Sequence, residues 1–208
     1  MIIKNIPEYK IIGALLKQPL ESRTLRQAAL EAGITYATAH KNLTRLLEMG
    51  MVRERRKGKA RLISVDFEHA PTDALCTAAI HVREAFKRHH PNIAVLANDV
   101  ERALASRFYT LILFGSRALD NEGQDSDVDL LIITPSRKLS EDYDATINKT
   151  LELSPLEADV KVVTTDDFEE MLNQKYSVGR EAFENGIVLF GVEQYYATVK
   201  RHAQTKGL

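Results

Sequence analysis

Through residues 9–50 the apolar positions recur at three- and four-residue intervals. Tyr9, Ile12, Leu15 and Leu16 predict a first helix that stops at Gln18-Pro19. Thr24 can cap a second helix through Glu31, ended by Gly33. Thr35 can cap a third, with Ala39, Leu43, Leu46 and Leu47 on one face and Gly50 as the stop. From Met51 to Val65 the period shortens to two, which predicts a hairpin turning at Lys57-Gly58-Lys59. Two amphipathic helices follow, one lined by Leu75, Ala79, Val82 and Phe86, the other by Ile93, Leu96, Val100 and Leu104. Beyond Tyr109 strands alternate with helices: β-rich runs at 109–114, 128–134 and 158–164, helices at 140–151 and 165–175, a short apolar run at 187–190, and a polar helical tail.

Composition bounds what such a chain can be. With 208 residues, 44% hydrophobic and 27% charged, it has side chains enough for real cores, which excludes wholesale disorder. The single cysteine, Cys76, cannot form an internal disulfide and reads as a small packing residue, and no Cys/His spacing matches a zinc site. The apolar runs are too short to span a bilayer and no signal pattern opens the chain, so the expectation is a cytoplasmic protein with no membrane partner.

The net charge of −1 conceals an asymmetry. Residues 1–70 carry 13 Lys and Arg against 7 Asp and Glu, hence +6; the remaining 15 and 22 give −7 to residues 71–208. A basic head on an acidic body suggests two jobs. The expected organisation is α+β with a head at 1–70, a helical connector at 71–107 and an α/β domain with a mixed sheet at 108–208.

Three helices and a basic hairpin follow the order of a winged helix-turn-helix, whose third helix enters the DNA major groove. Thr38, Lys41 and Arg45 fall opposite Leu43 on that helix, whereas Tyr36 falls on the apolar side. The hairpin carries Arg53, Arg55, Arg56, Lys57, Lys59 and Arg61 against one acid, a density suited to phosphate neutralisation. Residues 8–66 resemble prokaryotic winged-helix regulators. That resemblance implies duplex DNA as the partner of the head.

The strongest chemical signal is LILFGSRALDNEGQDSDVDLLII at 111–133. An apolar strand runs into Gly115-Ser116, ten residues intervene, and Asp127-Val128-Asp129 opens a second strand. Strand period two puts Asp127 and Asp129 on one face and Val128 in the core. Adjacent carboxylates repel unless a cation neutralises them, and hard oxygen ligands fit Mg²⁺ or Mn²⁺ shared with a phosphate. Gly115 lets backbone approach a triphosphate, and Ser116 offers a hydroxyl and an amide. In LEADVKVV, Asp159 lies on the face opposite Ala158, Val160 and Val162 and is the first choice for a third carboxylate; Glu157 is the alternative. Asp120, Glu122, Asp125 and Ser126 read as spacer and turn residues. His81, His89 and His90 read as helix-surface residues, and Tyr195-Tyr196 as packing or dimer contacts.

The arrangement of Gly115, Ser116, Asp127, Asp129 and Asp159 resembles the polymerase-beta nucleotidyltransferase superfamily, especially its minimal nucleotidyltransferase branch. Arg117 follows the serine as in many members, and EAFENGIVLFG at 181–191 resembles that branch's closing helix and strand. The resemblance covers about 108–191. It implies transfer of a nucleoside monophosphate, AMP from ATP, onto a hydroxyl acceptor by a two-metal mechanism. Asp127 and Asp129 would bridge the ions, Asp159 would hold the attacking side, and Gly115, Ser116 and Arg117 would bind the nucleotide. It further implies a HEPN-like protein partner, as in toxin–antitoxin pairs, and a homodimer is compatible with it. A second reading makes the protein a DNA-binding regulator whose acidic domain senses nucleotide or is inactive.

Overall fold

The computed structural model describes residues 6–58, 60–104, 108–119, 127–152 and 154–207. The chain forms two compact units, Met1–Val82 with Val199–Leu208, and Arg83–Thr198. These limits differ from the boundaries at 70 and 107: the connector helices divide between the units, and the end of the tail belongs with the first.

The first unit begins with α1 (Pro7–Leu16), where Pro7 occupies a position whose N–H has no helical partner to lose. The two-residue strand β1 (Arg23–Thr24) leads into α2 (Leu25–Glu31), where Thr24 and Gln27 form a reciprocal capping box. Thr35 caps α3 (Tyr36–Glu48) through the Thr38 amide. Strands β2 (Val52–Lys57) and β3 (Ala60–Val65) close as an antiparallel hairpin, with Gly58 at φ 60 supplying the turn conformation that other residues resist. Strand β1 pairs with β3 and gives a sheet of order β1-β3-β2. Sequence periodicity does not reveal β1, because two residues carry no period. Helix α4 (Thr72–His89) runs through the boundary between the units. The apolar face of α3 is buried as its pattern predicts, at Ala39, Leu43 and Leu46.

The second unit is built on α5 (Pro91–Leu104), β4 (Thr110–Phe114), the single turn α6 (Gly115–Ala118), β5 (Val128–Thr134) and α7 (Arg137–Leu151). It continues through β6 (Ala158–Thr164), α8 (Thr165–Met171), α9 (Val178–Asn185), β7 (Ile187–Phe190) and the first part of α10 (Val192–Lys206). The sheet order is β6-β5-β4-β7, with β5 and β6 parallel and the other pairs antiparallel. This is the mixed sheet expected. Helix α7 is the crossover that a parallel pair requires, and it packs on both β5 and β6.

Two helix limits differ from the sequence pattern. Helix α7 starts at Arg137 because Ser136 caps it, and Ser140 sits inside it with its hydroxyl donating to the Val162 carbonyl. The helix read through residue 175 ends at Met171. Ser177 then caps α9, accepting from the Arg180 amide and donating to the Met171 carbonyl at 2.6 Å. Tyr195 and Tyr196 are buried, so packing is their role within the chain.

Candidate functional site

Six of the seven residues of β5 are buried, and Asp129 alone is partly exposed. A carboxylate placed within so apolar a strand carries a desolvation cost that a purely structural residue would avoid. The strand register explains its neighbours. Asp129 pairs with Phe114 of β4 on one side and with Asp159 of β6 on the other. Asp127 lies two residues earlier, exposed at the head of the strand, and so projects to the same side as Asp129. The amide of Val128, between them, donates to the Glu157 carbonyl at 2.9 Å and fixes the start of the parallel ladder.

Gly115 follows Phe114 with φ at 72, a conformation side-chain-bearing residues rarely adopt. A Cβ there would collide with Oδ2 of Asp129 and lie 3.0 Å from its Cγ. The glycine therefore serves the carboxylate directly, by leaving it room. Ser116 and Arg117 are half-buried in the turn that follows.

Electrostatics tie the three acids together. The Asp129 carboxyl is held above its ordinary value by burial first, then by the negative charges of Asp159 and Asp127, with Lys161 acting in the opposite direction. Asp159 is exposed, and its carboxylate accepts from the Lys161 ammonium at 3.1 and 3.0 Å. Among the described residues no group of three or more His, Cys, Asp or Glu side chains is gathered closely enough to hold a metal ion. The sequence put three ligands on one ion pair; the fold brings Asp127, Asp129 and Asp159 to neighbouring strand positions, but Asp159 is turned to Lys161. Mutual repulsion of three carboxylates explains this arrangement. The donor set nonetheless fits a hard divalent cation, since Asp127 and Asp129 offer oxygens alone and the strain on Asp129 is the strain a cation relieves. Lys161 stands two residues after Asp159 on the same face of β6. At the far end of β4 a hollow lined by Phe108, Tyr109, Phe168 and Tyr195 lies apart from these acids.

Residues 97–189 match the family model described as a nucleotidyltransferase domain. That span includes Gly115, Ser116, Arg117, Asp127, Asp129 and Asp159, and extends the likeness back into α5 beyond the limit at 108. Within the second unit, residues 97–189 are thus similar to a nucleotidyltransferase domain, which supports a transferase activity in general terms. No curated protein and no solved structure gives a significant match.

In the first unit the basic residues divide by partner. Arg45 pairs at 3.1 Å with Glu8, which is buried, and Arg61 donates to Glu54 at 2.8 Å. Arg53 donates to the Ser64 hydroxyl at 3.4 Å, and the Thr38 hydroxyl shares a hydrogen bond with that of Thr35 at the helix cap. Lys41, Arg55, Arg56 and Lys57 are exposed, and no ion pair involves them among the described residues. Arg56 stands directly across the hairpin from Arg61, an unfavourable like-charge pairing. Tyr36 is 49% exposed rather than packed, with Arg26 over its ring at 5.9 Å. At this first position of α3 its ring meets the Arg26 guanidinium of α2, while Ala39, Leu43 and Leu46 form the buried part of the helix. His81 also departs from the surface reading: its Nε2 is buried without a hydrogen-bond partner, and its ring stacks on Tyr9. Lys59, Asp120, Glu122, Asp125 and Ser126 lie outside the described residues.

No helix among the described residues is long and apolar enough to cross a membrane.

Proposed function

We propose that the second unit transfers a nucleoside monophosphate, AMP from ATP, onto a hydroxyl acceptor in a reaction that depends on Mg²⁺ or Mn²⁺. The observation that carries this reading is the placement of Asp129 between the Phe114–Gly115 corner and Asp159, with Asp127 beside it. A divalent ion held by Asp127, Asp129 and the triphosphate would offset phosphate charge and favour departure of pyrophosphate. Gly115 keeps backbone close to the nucleotide, Ser116 donates its amide and hydroxyl to phosphate oxygens, and Arg117 supplies positive charge. Asp159 stands on the neighbouring strand where the acceptor hydroxyl enters, and takes its proton. A HEPN-like protein is the first acceptor to test, given the resemblance to minimal nucleotidyltransferases. Calorimetry with ATP and Mg²⁺ tests the site. Binding is expected in the wild type and in Asp159→Asn, and absent in the double variant Asp127→Asn/Asp129→Asn. Unchanged binding in the double variant would refute the site. Labelling of lysate proteins from ATP should be lost in Asp159→Asn.

We further propose that the first unit is a winged helix that binds duplex DNA. The support is the row of exposed cations on α3 and the hairpin, where Arg56 stands directly across from Arg61. On this second reading the protein regulates transcription, with its nucleotide site as sensor; the two roles are compatible.

A further inference from the structure

We infer that Lys161 is the built-in cation on the acceptor side of the site, and that it takes the place of a second metal ion. The inference rests on the nucleotidyl-transfer reading above and specifies its metal requirement. Parallel pairing of β5 with β6 sets Asp129 beside Asp159 and Leu131 beside Lys161. Residues 159 and 161 therefore project from one face of β6, with Lys161 one side-chain step further along it. The ammonium lies 3.1 Å from Oδ1 and 3.0 Å from Oδ2 of Asp159, so it spans both oxygens a metal would need.

Charge balance points the same way. Asp127, Asp129 and Asp159 carry three negative charges, and a triphosphate adds more. One divalent ion between Asp127 and Asp129 leaves the Asp159 side to be neutralised, and a lysine is a compact point charge able to do so. Asp159 occupied in this way is not offered to an ion. That agrees with the absence, among the described residues, of a cluster of three acids close enough to hold a metal. Lys161 is half-exposed on a flexible four-carbon stem. It can turn from Asp159 toward a non-bridging oxygen of the α-phosphate as negative charge moves there. The Asp159 carboxylate is then released to accept the proton of the acceptor hydroxyl. The new bond joins the acceptor oxygen to the α-phosphorus, the bond to the bridging oxygen breaks, and pyrophosphate leaves with the electron pair.

The test is the number of metal ions bound per nucleotide. The full chain is titrated with Mn²⁺ in the presence of α,β-methylene-ATP, and bound ion is counted by electron paramagnetic resonance. One Mn²⁺ per bound nucleotide is expected in the wild type and in Lys161→Arg. Lys161→Ala, and Lys161→Met as a bulkier control, should admit a second ion, because Asp159 is then free to bind it. Two ions in the wild type, or one ion in every variant, would overturn the inference while leaving nucleotide binding intact. Failure of the wild type to bind the analogue at all would instead remove the nucleotidyl-transfer reading, and this inference with it. Circular dichroism melts of each variant establish that the fold is retained.

Discussion

The carboxylate of Asp129 occupies the space that a side chain on residue 115 would fill. The two residues are 14 positions apart in sequence, yet each sets the terms for the other. Gly115 needs its positive φ to turn the chain out of β4, and Asp129 needs Gly115 to lack a Cβ. A strand end and a functional carboxylate are thus one construction.

Replacing Gly115 by alanine should therefore do two kinds of harm. The positive φ alone costs about 1–2 kcal/mol, visible as a lower midpoint in urea. The clash displaces the Asp129 carboxylate, so nucleotide binding should fall further than stability. Adding Asp129→Gly removes the clash but not the strained φ, and should restore part of the stability and none of the binding. A Gly115→Ala protein with wild-type affinity for ATP and Mg²⁺ would contradict the close approach.

The raised Asp129 carboxyl gives a pH dependence of definite sign. Its folded value lies above its ordinary one, so the folded protein binds this proton more tightly than the unfolded chain does. The ionised carboxylate consequently destabilises the metal-free protein at neutral pH. The penalty is relieved as pH falls through the folded value toward the ordinary 3.8. Without metal, Asp129→Asn should melt higher than wild type at pH 7, and the gap should close as the pH is lowered through that window. Thermal melts across pH 4–7 in EDTA check this, and Mg²⁺ with ATP should reverse the order at pH 7.

Arg45 is expected to act as a partner for Glu8 before it acts on DNA. Arg45→Ala leaves Glu8 buried without its counter-charge and should cost about 1 kcal/mol, because Arg45 itself is 68% exposed and its charge is screened. Glu8→Gln should make Arg45→Ala close to neutral. A double-mutant cycle in urea measures the coupling. No coupling would leave Arg45 free for the sequence-reading role that the helical wheel suggested.

The hairpin cations should report themselves through salt. If Arg55, Arg56 and Lys57 each neutralise a phosphate, replacing all three by alanine flattens the slope of log affinity against log salt by about 3, roughly 0.9 per contact. The loss should be similar for every duplex sequence. Lys41→Ala should instead shift which sequence is preferred. Gel shifts over a salt series, with duplex, single-stranded and structured RNA probes, separate these outcomes. An unchanged slope would exclude the hairpin from the interface.

Sequence alone determined the order of the longer helices and strands, though not β1 or α6, because amphipathic period and capping chemistry are local. Thr24 and Thr35 start their helices by bonding amides three residues away, and the alternation of β2 and β6 is visible residue by residue. The acids Asp127 and Asp129 were equally legible, since strand period two places them on one face without reference to anything distant. Tertiary structure decided what lies across from them. That Asp159 is the carboxylate beside Asp129 follows from parallel register, which depends on how α7 returns the chain. No spacing along the sequence encodes that alignment. The same holds for Glu8 meeting Arg45, for the exposure of Tyr36, and for Lys161 closing on Asp159. Each is a contact or a lack of one between side chains that local pattern treats as independent. Period fixes the face on which a residue stands; only packing fixes which charge it faces there.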